Sequence, residues 1–340
     1  MRRGLPAVPP RRLVGPFGQC RHPGDHLTGR GSGPPASAFQ RRGGAALYRP
    51  AAMNDSTLHG SRIAIVGAGV MAEAMLSGLL DRGLVEPGSV TCSEPREARR
   101  RELHERHGVS AIASNAEAAA VGDIVLLCVK PQVLGAVMPE LKPVMRPGQL
   151  VISIVAGAGS HALAEGLDHP AVVRCMPNTP AQIGKGVTVW FATEAVDAAG
   201  RARARTMLSA LGTEFEVDDE RQVAMATAVS GSGPTYIFLF IEALIDAAVH
   251  LGFARHVARE LVLDTVQGSA AFAVASGKHV AELRDMVTSP GGTSAAAMYE
   301  LEKGRLRTVV SDAVWAAFER TLGIEAALEG RPPHPSARPR

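Results

Sequence analysis

Blocks of apolar residues alternate with glycine turns and amphipathic stretches through the first two thirds of the chain. "RIAIVGAGVMAEAMLSGLLDRG" (62–83) opens with a short apolar run and reaches a glycine turn. It then places Met71, Met75, Leu79 and Leu80 at helical spacing, which predicts strand, turn, helix. "SVTCS" (89–93) reads as a second short strand, and "PREARRRELHERHG" as a charged helix opened by Pro95 and closed by Gly108. "DIVLLCV" (123–129) is an uninterrupted apolar strand, as expected for one covered on both faces. "QLVISIVAG" (149–157) repeats the pattern after the turn "RPG", and "AVVRC" and "GVTVWFA" add two more strands. This alternation predicts an α/β fold with a doubly wound parallel sheet over residues 61–220.

Past Asp219 the period changes. From "RQVAMATAVSGSGPTYIFLFIEALIDAAVHLGFA" to about Ile324 the segments are helix-like and separated by short Gly or Pro breaks. They predict an all-helical domain over 221–325, followed by a flexible tail, 326–340. Tyr236–Leu251 is apolar nearly all round, but Glu242 and Asp246 interrupt the ~20 apolar residues a membrane span needs. The expectation is a helix buried on several sides, partly by a second subunit, with no membrane.

Composition sharpens this picture. Of 340 residues 46% are apolar and only 4% aromatic, so small residues build the core. The total charge of +3 is unevenly spread. Residues 1–52 hold nine arginines against Asp25, a net of +8, which leaves −5 for the remainder. A nucleic-acid role argued from charge would concern that segment alone, and none is expected. Residues 1–60 are expected to be a disordered Arg/Pro/Gly-rich extension without the apolar core of a secretory signal, with Met53 as the working start. Cys20, Cys92, Cys128 and Cys175 form no C-x-x-C pair and read as thiols of a reducing, cytoplasmic compartment. His104 and His107 share a helix face crowded with Arg and Glu, which reads as a solvated face; no metal site is expected.

The chemistry starts at "GAGVMA" (67–72), a G-x-G-x-x-A between a strand and a helix. Gly67 allows the tight turn, Gly69 lets the backbone approach a pyrophosphate, and Ala72 permits close packing. The helix N-terminus then offers N–H groups to the phosphates. Ala68, Val70 and Met71 belong to the same contact. A dinucleotide's ribose would lie at the end of the second strand, "TCSEPREARR". There Ser93 stands where an acid would favour NAD, with Arg96, Arg99 and Arg100 close behind. A hydroxyl beside guanidinium groups favours NADPH. Glu94 keeps NADH open, and the arginines read equally as a solvated helix face.

Five stretches together resemble one family, pyrroline-5-carboxylate reductase: "GAGVMAEAM" (67–75), "VKPQ" (129–132), "RCMPNTP" (174–180), "SGSGP" (230–234) and "SPGGTSAAAMYELEKGRLRTVVSDAV" (289–314). The resemblance covers nearly all of residues 62–325. It implies a Rossmann domain followed by a helical domain through which subunits dimerise, often assembling further into decamers. The implied reaction is NAD(P)H-dependent reduction of 1-pyrroline-5-carboxylate to L-proline, the last step of proline biosynthesis. Ser93 and Asn115 are placed near the adenosine ribose or its phosphate. Val129, Lys130 and Pro131 fall beside the nicotinamide half, with Ala156 and Asn178 as further cofactor contacts. "SPGGTS" becomes the substrate loop.

The substrate implied is a cyclic imine bearing a carboxylate. Its anion suits N–H groups at a helix N-terminus, and Gly291 and Gly292 let the backbone come close. Ser289, Thr293 and Ser294 add hydroxyls, one of them for the ring nitrogen, so Thr293 and Ser294 are the expected catalytic pair; Ser294 stands where the family commonly has Thr. The helix is expected from about Ala295 to Lys303, stopping at Gly304. Asn178 and Thr179, held by Pro177 and Pro180, are read as a wall of the nicotinamide pocket. "SGSGP" is read as a tight helix crossing, with a substrate contact from Ser230 or Gly231. Lys130 is not expected to donate the proton, since a protonated imine is already electrophilic. A β-hydroxyacid dehydrogenase would need a catalytic lysine on a helix of the second domain, and neither Lys278 nor Lys303 is placed for that. A non-catalytic dinucleotide sensor would not need an intact "SPGGTS".

Overall fold

The structure, a computed structural model, describes residues 55–332. Most of the expected N-terminal extension, Cys20 and the Met53 start lie outside the described residues, as do 333–340. Among the described residues eight strands form one sheet. They are β1 (Ile63–Val66), β2 (Val90–Ser93), β3 (Ser110–Ile112), β4 (Ile124–Leu127), β5 (Leu150–Ser153), β6 (Val172–Met176), β7 (Gly186–Ala192) and β8 (Gly212–Glu216). Their spatial order is β3-β2-β1-β4-β5-β6-β7-β8. The strands therefore start in mid-sheet with β1, build outward to β3 and return to β4 on the other side of β1. Doubly wound sheets take their ligands at such a reversal, here the C-terminal ends of β1 and β4.

The sheet is mostly parallel, with a correction at one edge. β6 and β7 pair antiparallel, and β8 follows β7, so the last two strands run against the other six. The cause is the connection. Between β6 and β7 lies only a 3₁₀ turn, Thr179–Ile183, and a parallel pair needs a crossover of a dozen residues or more. Helix α6 (Ala198–Ser209) supplies such a crossover between β7 and β8. The crossovers before it are α1 (Val70–Asp81), α2 (Glu97–His107), α3 (Asn115–Val121), α4 (Pro131–Leu141) and α5 (Ser160–Leu167).

Successive strand residues point to opposite faces, which explains the unbroken apolar runs. Ile63, Ile65, Ile124, Leu126 and Ile152 enter one core layer with Met75, Leu79 and Trp190. Ala64, Val66, Val125, Leu127 and Val151 enter the other with Leu134, Leu141 and Leu163.

The helical part comprises α7 (Arg221–Ala226), a π turn (Thr227–Gly231), α8 (Gly233–His250), α9 (Arg255–Ser276), α10 (Val280–Met286), α11 (Thr293–Lys303) and α12 (Leu306–Leu328). Order extends past both expected boundaries. Asp55–Leu58 is a 3₁₀ turn whose Leu58 is buried, and α12 continues through a buried Ala326. The expected burial of Tyr236–Leu251 does not occur within one chain: no α8 residue is buried, and Phe238 and Leu239 are 62% and 66% exposed. The run Arg221–His250 is long and apolar enough by length and composition to cross a membrane. Its apolar exposure continues on α9, α11 and α12 through Phe272, Tyr299, Val309 and Val310.

Candidate cofactor and substrate site

At the β1–α1 turn Gly67 has φ 90°, and a Cβ there would stand 2.8 Å from Val129 Cγ1, so both conformation and space demand glycine. Gly69 caps α1 in extended geometry with no side-chain hydrogen bond, and nothing lies within 4 Å of where its Cβ would be. Free amides above an open cradle suit a pyrophosphate.

Beneath this turn Arg99 donates through Nε to the Ala68 carbonyl at 3.3 Å and pairs with Glu73 in the first turn of α1. Glu73 also receives Arg106 and His107. Burial alone would raise its pKa, but hydrogen bonds from Arg99, His107 and Arg106 outweigh burial and hold it at about 2. The solvated face expected around "HERH" is thus corrected in part. His107 is 10% exposed and bound to Glu73, while His104 Nδ1 lies 3.0 Å from the Val109 carbonyl.

The expected ribose end is built from residues that bond one another. Ser93 is fully buried and its hydroxyl donates to Asn115 Oδ1 at 2.8 Å, so Ser93 presents no free hydroxyl to a phosphate. Asn115, at the start of α3, in turn donates to Glu140 at 2.8 Å, a carboxylate with no local sequence signal. Glu94 is nearly buried and accepts from both the backbone N–H and Nε of Arg96. Its desolvation is outweighed by these bonds, and its pKa is lowered. The acid that could have taken ribose hydroxyls is therefore spent on an arginine, whose side chain stays 71% exposed at the mouth of the site. Arg100 is occupied by the Glu94 and Pro95 carbonyls.

All the cofactor candidates gather at one edge of the sheet. Gly67–Met71 follow β1, Ser93 and Arg96 follow β2, Val129, Lys130 and Pro131 link β4 to α4, Ala156 follows β5, and Asn178 follows β6. Asn178 is not a free cofactor ligand, however: its amide donates to the Ser230 carbonyl at 3.1 Å and its oxygen accepts from Val187 N at 2.8 Å. It joins the "RCMPNTP" loop to the π turn. Ser230 spends its own hydroxyl on Ala226 O, and a Cβ on Gly231 would meet Met176 Cε at 2.9 Å. The tight packing expected at "SGSGP" is thus helix against strand end, rather than helix against helix. Lys130 is exposed at the N-cap of α4.

"SPGGTS" sits at the N-terminus of α11. Gly292 is the N-cap, so the helix starts at Thr293, two residues before the expected Ala295, and Thr293 and Ser294 occupy its first turn. Gly291 has φ 70°, a left-handed backbone that glycine adopts without strain. The hydroxyls of Ser289, Thr293 and Ser294 have no hydrogen-bond partner among the described residues, and the N-cap supplies no side-chain bond. The helix ends with Gly304 at φ −71°; the left-handed residue is Arg305, which opens α12. No hydrogen bond joins residues 289–294 to the sheet domain among the described residues.

The helical part is anchored to the sheet elsewhere. Arg174 on β6, 5% exposed, pairs with Glu220 at 2.9 Å and with Glu325 of α12; Ser160 donates to Glu220 through both N–H and hydroxyl. A Cβ on Gly157 would lie 2.4 Å from Ile324 Cγ2, so α12 rests directly on the loop after β5. The three described cysteines are free; burial pushes Cys92 up to about 12 and raises Cys128 and Cys175 as well.

Comparison with known proteins agrees with this geometry. The family described as pyrroline-5-carboxylate reductase dimerisation matches residues 220–324, and that described as NADP oxidoreductase, coenzyme F420-dependent, matches 62–157. A pyrroline-5-carboxylate reductase of Pseudomonas aeruginosa is 41% identical over 268 residues, 78% of this chain and 98% of the relative. The chain belongs to the pyrroline-5-carboxylate reductase family. Among solved structures, a Plasmodium falciparum pyrroline carboxylate reductase with NADP bound aligns with a TM-score of 0.73 at 31% identity, covering 78% of this chain and 98% of that one. The Coxiella burnetii pyrroline-5-carboxylate reductase gives 0.72 at 36%, with the same coverage. The chain is thus an NADP-type oxidoreductase of Rossmann fold with a helical domain of the dimerising kind.

Proposed function

We propose that the chain reduces 1-pyrroline-5-carboxylate to L-proline with NADPH, in the cytoplasm, as a homodimer formed through α8–α12. The observation that carries this reading is a division of labour. An open, uncapped phosphate cradle stands at Gly67–Gly69, and unspent hydroxyls stand at the uncapped helix start Thr293–Ser294.

NADPH supplies a hydride when bound. The chain's part is to hold it and to hold the imine against it. The Gly69–Met71 amides would take the pyrophosphate, and Arg96 would meet the ribose phosphate while Glu94 is withheld by that same arginine. Asn115, aligned by Ser93, would border the ribose. Val129 and Pro131, with Ala156, would hold the nicotinamide half. Asn178 shapes that wall by tying Ser230 and Val187 together.

At α11 the amides after Gly291 and Gly292 receive the substrate carboxylate. Ser294 hydrogen-bonds the ring nitrogen and Thr293 supports it. An imine that enters already protonated would need no proton from the protein, so the chain's own task is to hold the ring nitrogen and carboxylate, and no strong protein acid is required. Lys130, outside at the α4 N-cap, is not the donor. "SPGGTS" makes no hydrogen bond to its own sheet domain among the described residues, which supports a site whose cradle comes from a second copy. The exposed apolar helices supply the surface that brings the two together. NADPH oxidation dependent on 1-pyrroline-5-carboxylate, with L-proline as product and NADH the poorer donor, tests the reading. Turnover of 2-hydroxyacids without turnover of the imine would overturn it.

A further inference from the structure

We propose, on the reading that the Gly69–Met71 amides take the pyrophosphate, that Arg99 of α2 is the positioning residue of this turn. It sets which face the Ala68–Gly69 peptide shows to the phosphates, and it does so for any nicotinamide dinucleotide, with no contact to the ribose phosphate.

The turn after β1 is held at two points. The Gly67 N–H donates to the Ser93 carbonyl at 3.1 Å, which ties the entrance of the turn to β2. The Ala68 carbonyl accepts from Arg99 Nε at 3.3 Å. A peptide unit is planar and trans, so its carbonyl and its N–H point opposite ways. Drawing the Ala68 carbonyl toward α2 therefore turns the Gly69 N–H away from α2, and that N–H donates to nothing among the described residues. Gly69 makes such a brace necessary. Its φ is −75°, but glycine takes positive φ about as readily. Without the brace the peptide before Gly69 can flip at little cost and aim a carbonyl at the anion in place of a donor.

Arg99 suits this task better than direct contact. Its side chain is 14% exposed and each of its three nitrogens has a partner: Nε the Ala68 carbonyl, one Nη Glu102 at 2.7 Å, the other Glu73. Glu73 lies in the first turn of α1, and its own N–H donates to the Gly69 carbonyl at 2.9 Å. The guanidinium thus grips the chain on both sides of Gly69. It also neutralises a carboxylate that would otherwise compete with the phosphates for the positive end of the α1 dipole.

The pyrophosphate is common to NADPH and NADH, whereas the ribose phosphate belongs to NADPH alone, and this separates positioning from direct contact. Affinities of the full chain for both dinucleotides are measured by calorimetry. Arg99→Met is expected to weaken both by the same factor, about tenfold, the scale of one hydrogen bond lost at the turn. Arg99→Lys keeps a cation against Glu73, and with it the fold, which circular dichroism verifies. One ammonium does not reproduce the planar fork that reaches the Ala68 carbonyl and Glu73 together, so this variant too is expected to lose about tenfold for both. A loss confined to NADPH, full affinity in Arg99→Lys, or unchanged affinities in Arg99→Met would each overturn the proposal. Gly67→Ala tells that failure from a failure of the reading beneath it. If Gly67→Ala loses both dinucleotides while Arg99→Met keeps them, only the positioning role falls; if Gly67→Ala binds both like the wild type, the turn does not hold the pyrophosphate and both fall.

Discussion

Arg174 in mid-β6 pairs with Glu325 near the end of α12, 151 residues further along the chain, and the same guanidinium holds Glu220 at the entrance to α7. One buried cation thus pins both ends of the helical part to the sheet. Removing it leaves two partly buried carboxylates facing each other without a counter-charge. Arg174→Met is expected to cost about 3 kcal/mol or more in urea unfolding. Adding Glu325→Leu to that variant should restore part of the loss, because the uncompensated charge goes with it. A double variant less stable than Arg174→Met would contradict the pairing.

Glu73 makes the α1 turn sensitive to acid. Its pKa is lowered from 4.5 to about 2, so its contribution is complete above 4.5 and disappears as pH falls toward about 2. In that window the wild type should lose about 2 kcal/mol that Glu73→Gln does not, once the partial solvent exposure of the cluster is allowed for. Urea midpoints at a series of pH values between those limits provide the check. Parallel curves for the two proteins would show that the Arg99, Arg106 and His107 contacts do not hold the carboxylate down.

A site shared between two copies, as proposed, predicts complementation. Gly67→Ala should abolish NADPH binding, since the added methyl meets Val129 Cγ1 at 2.8 Å. Ser294→Ala should leave NADPH binding intact and impair imine reduction. If the cradle and the substrate loop of one site come from different copies, each mixed dimer keeps one intact site. Random mixing then restores about a quarter of wild-type activity. If both halves come from one chain, mixing restores nothing.

Much of this architecture was legible locally. The β1 run, Gly67 at its end and the helical spacing of Met71, Met75 and Leu79 form one continuous signal, because strand, turn and helix are each set by neighbours in sequence. The edge strands β3 and β8 were not, since "SAI" and "GTEFE" mix polar with apolar residues and pair only where the sheet presents an edge. The reversal of β7 was hidden in a connection too short for a crossover. In the site, the glycines and hydroxyls of "SPGGTS" were visible as residue types. The burial of Ser93 under Asn115, the double use of Asn178 and the bracing of the turn by Arg99 depend on chain segments brought together by folding. Glu94 shows why that matters. As a residue type it left NADH open, and only the folded chain shows it accepting from the backbone and side chain of Arg96.

The most direct measurement follows the hydride itself. The protein is given NADPH deuterated at the transferable position together with 1-pyrroline-5-carboxylate, and the proline formed in a single turnover is read by mass spectrometry and NMR. One deuterium at the ring carbon formerly double-bonded to nitrogen, greatly reduced in Ser294→Ala, is the predicted result. Unlabelled proline, or none at all from protein that still binds NADPH, would contradict the account.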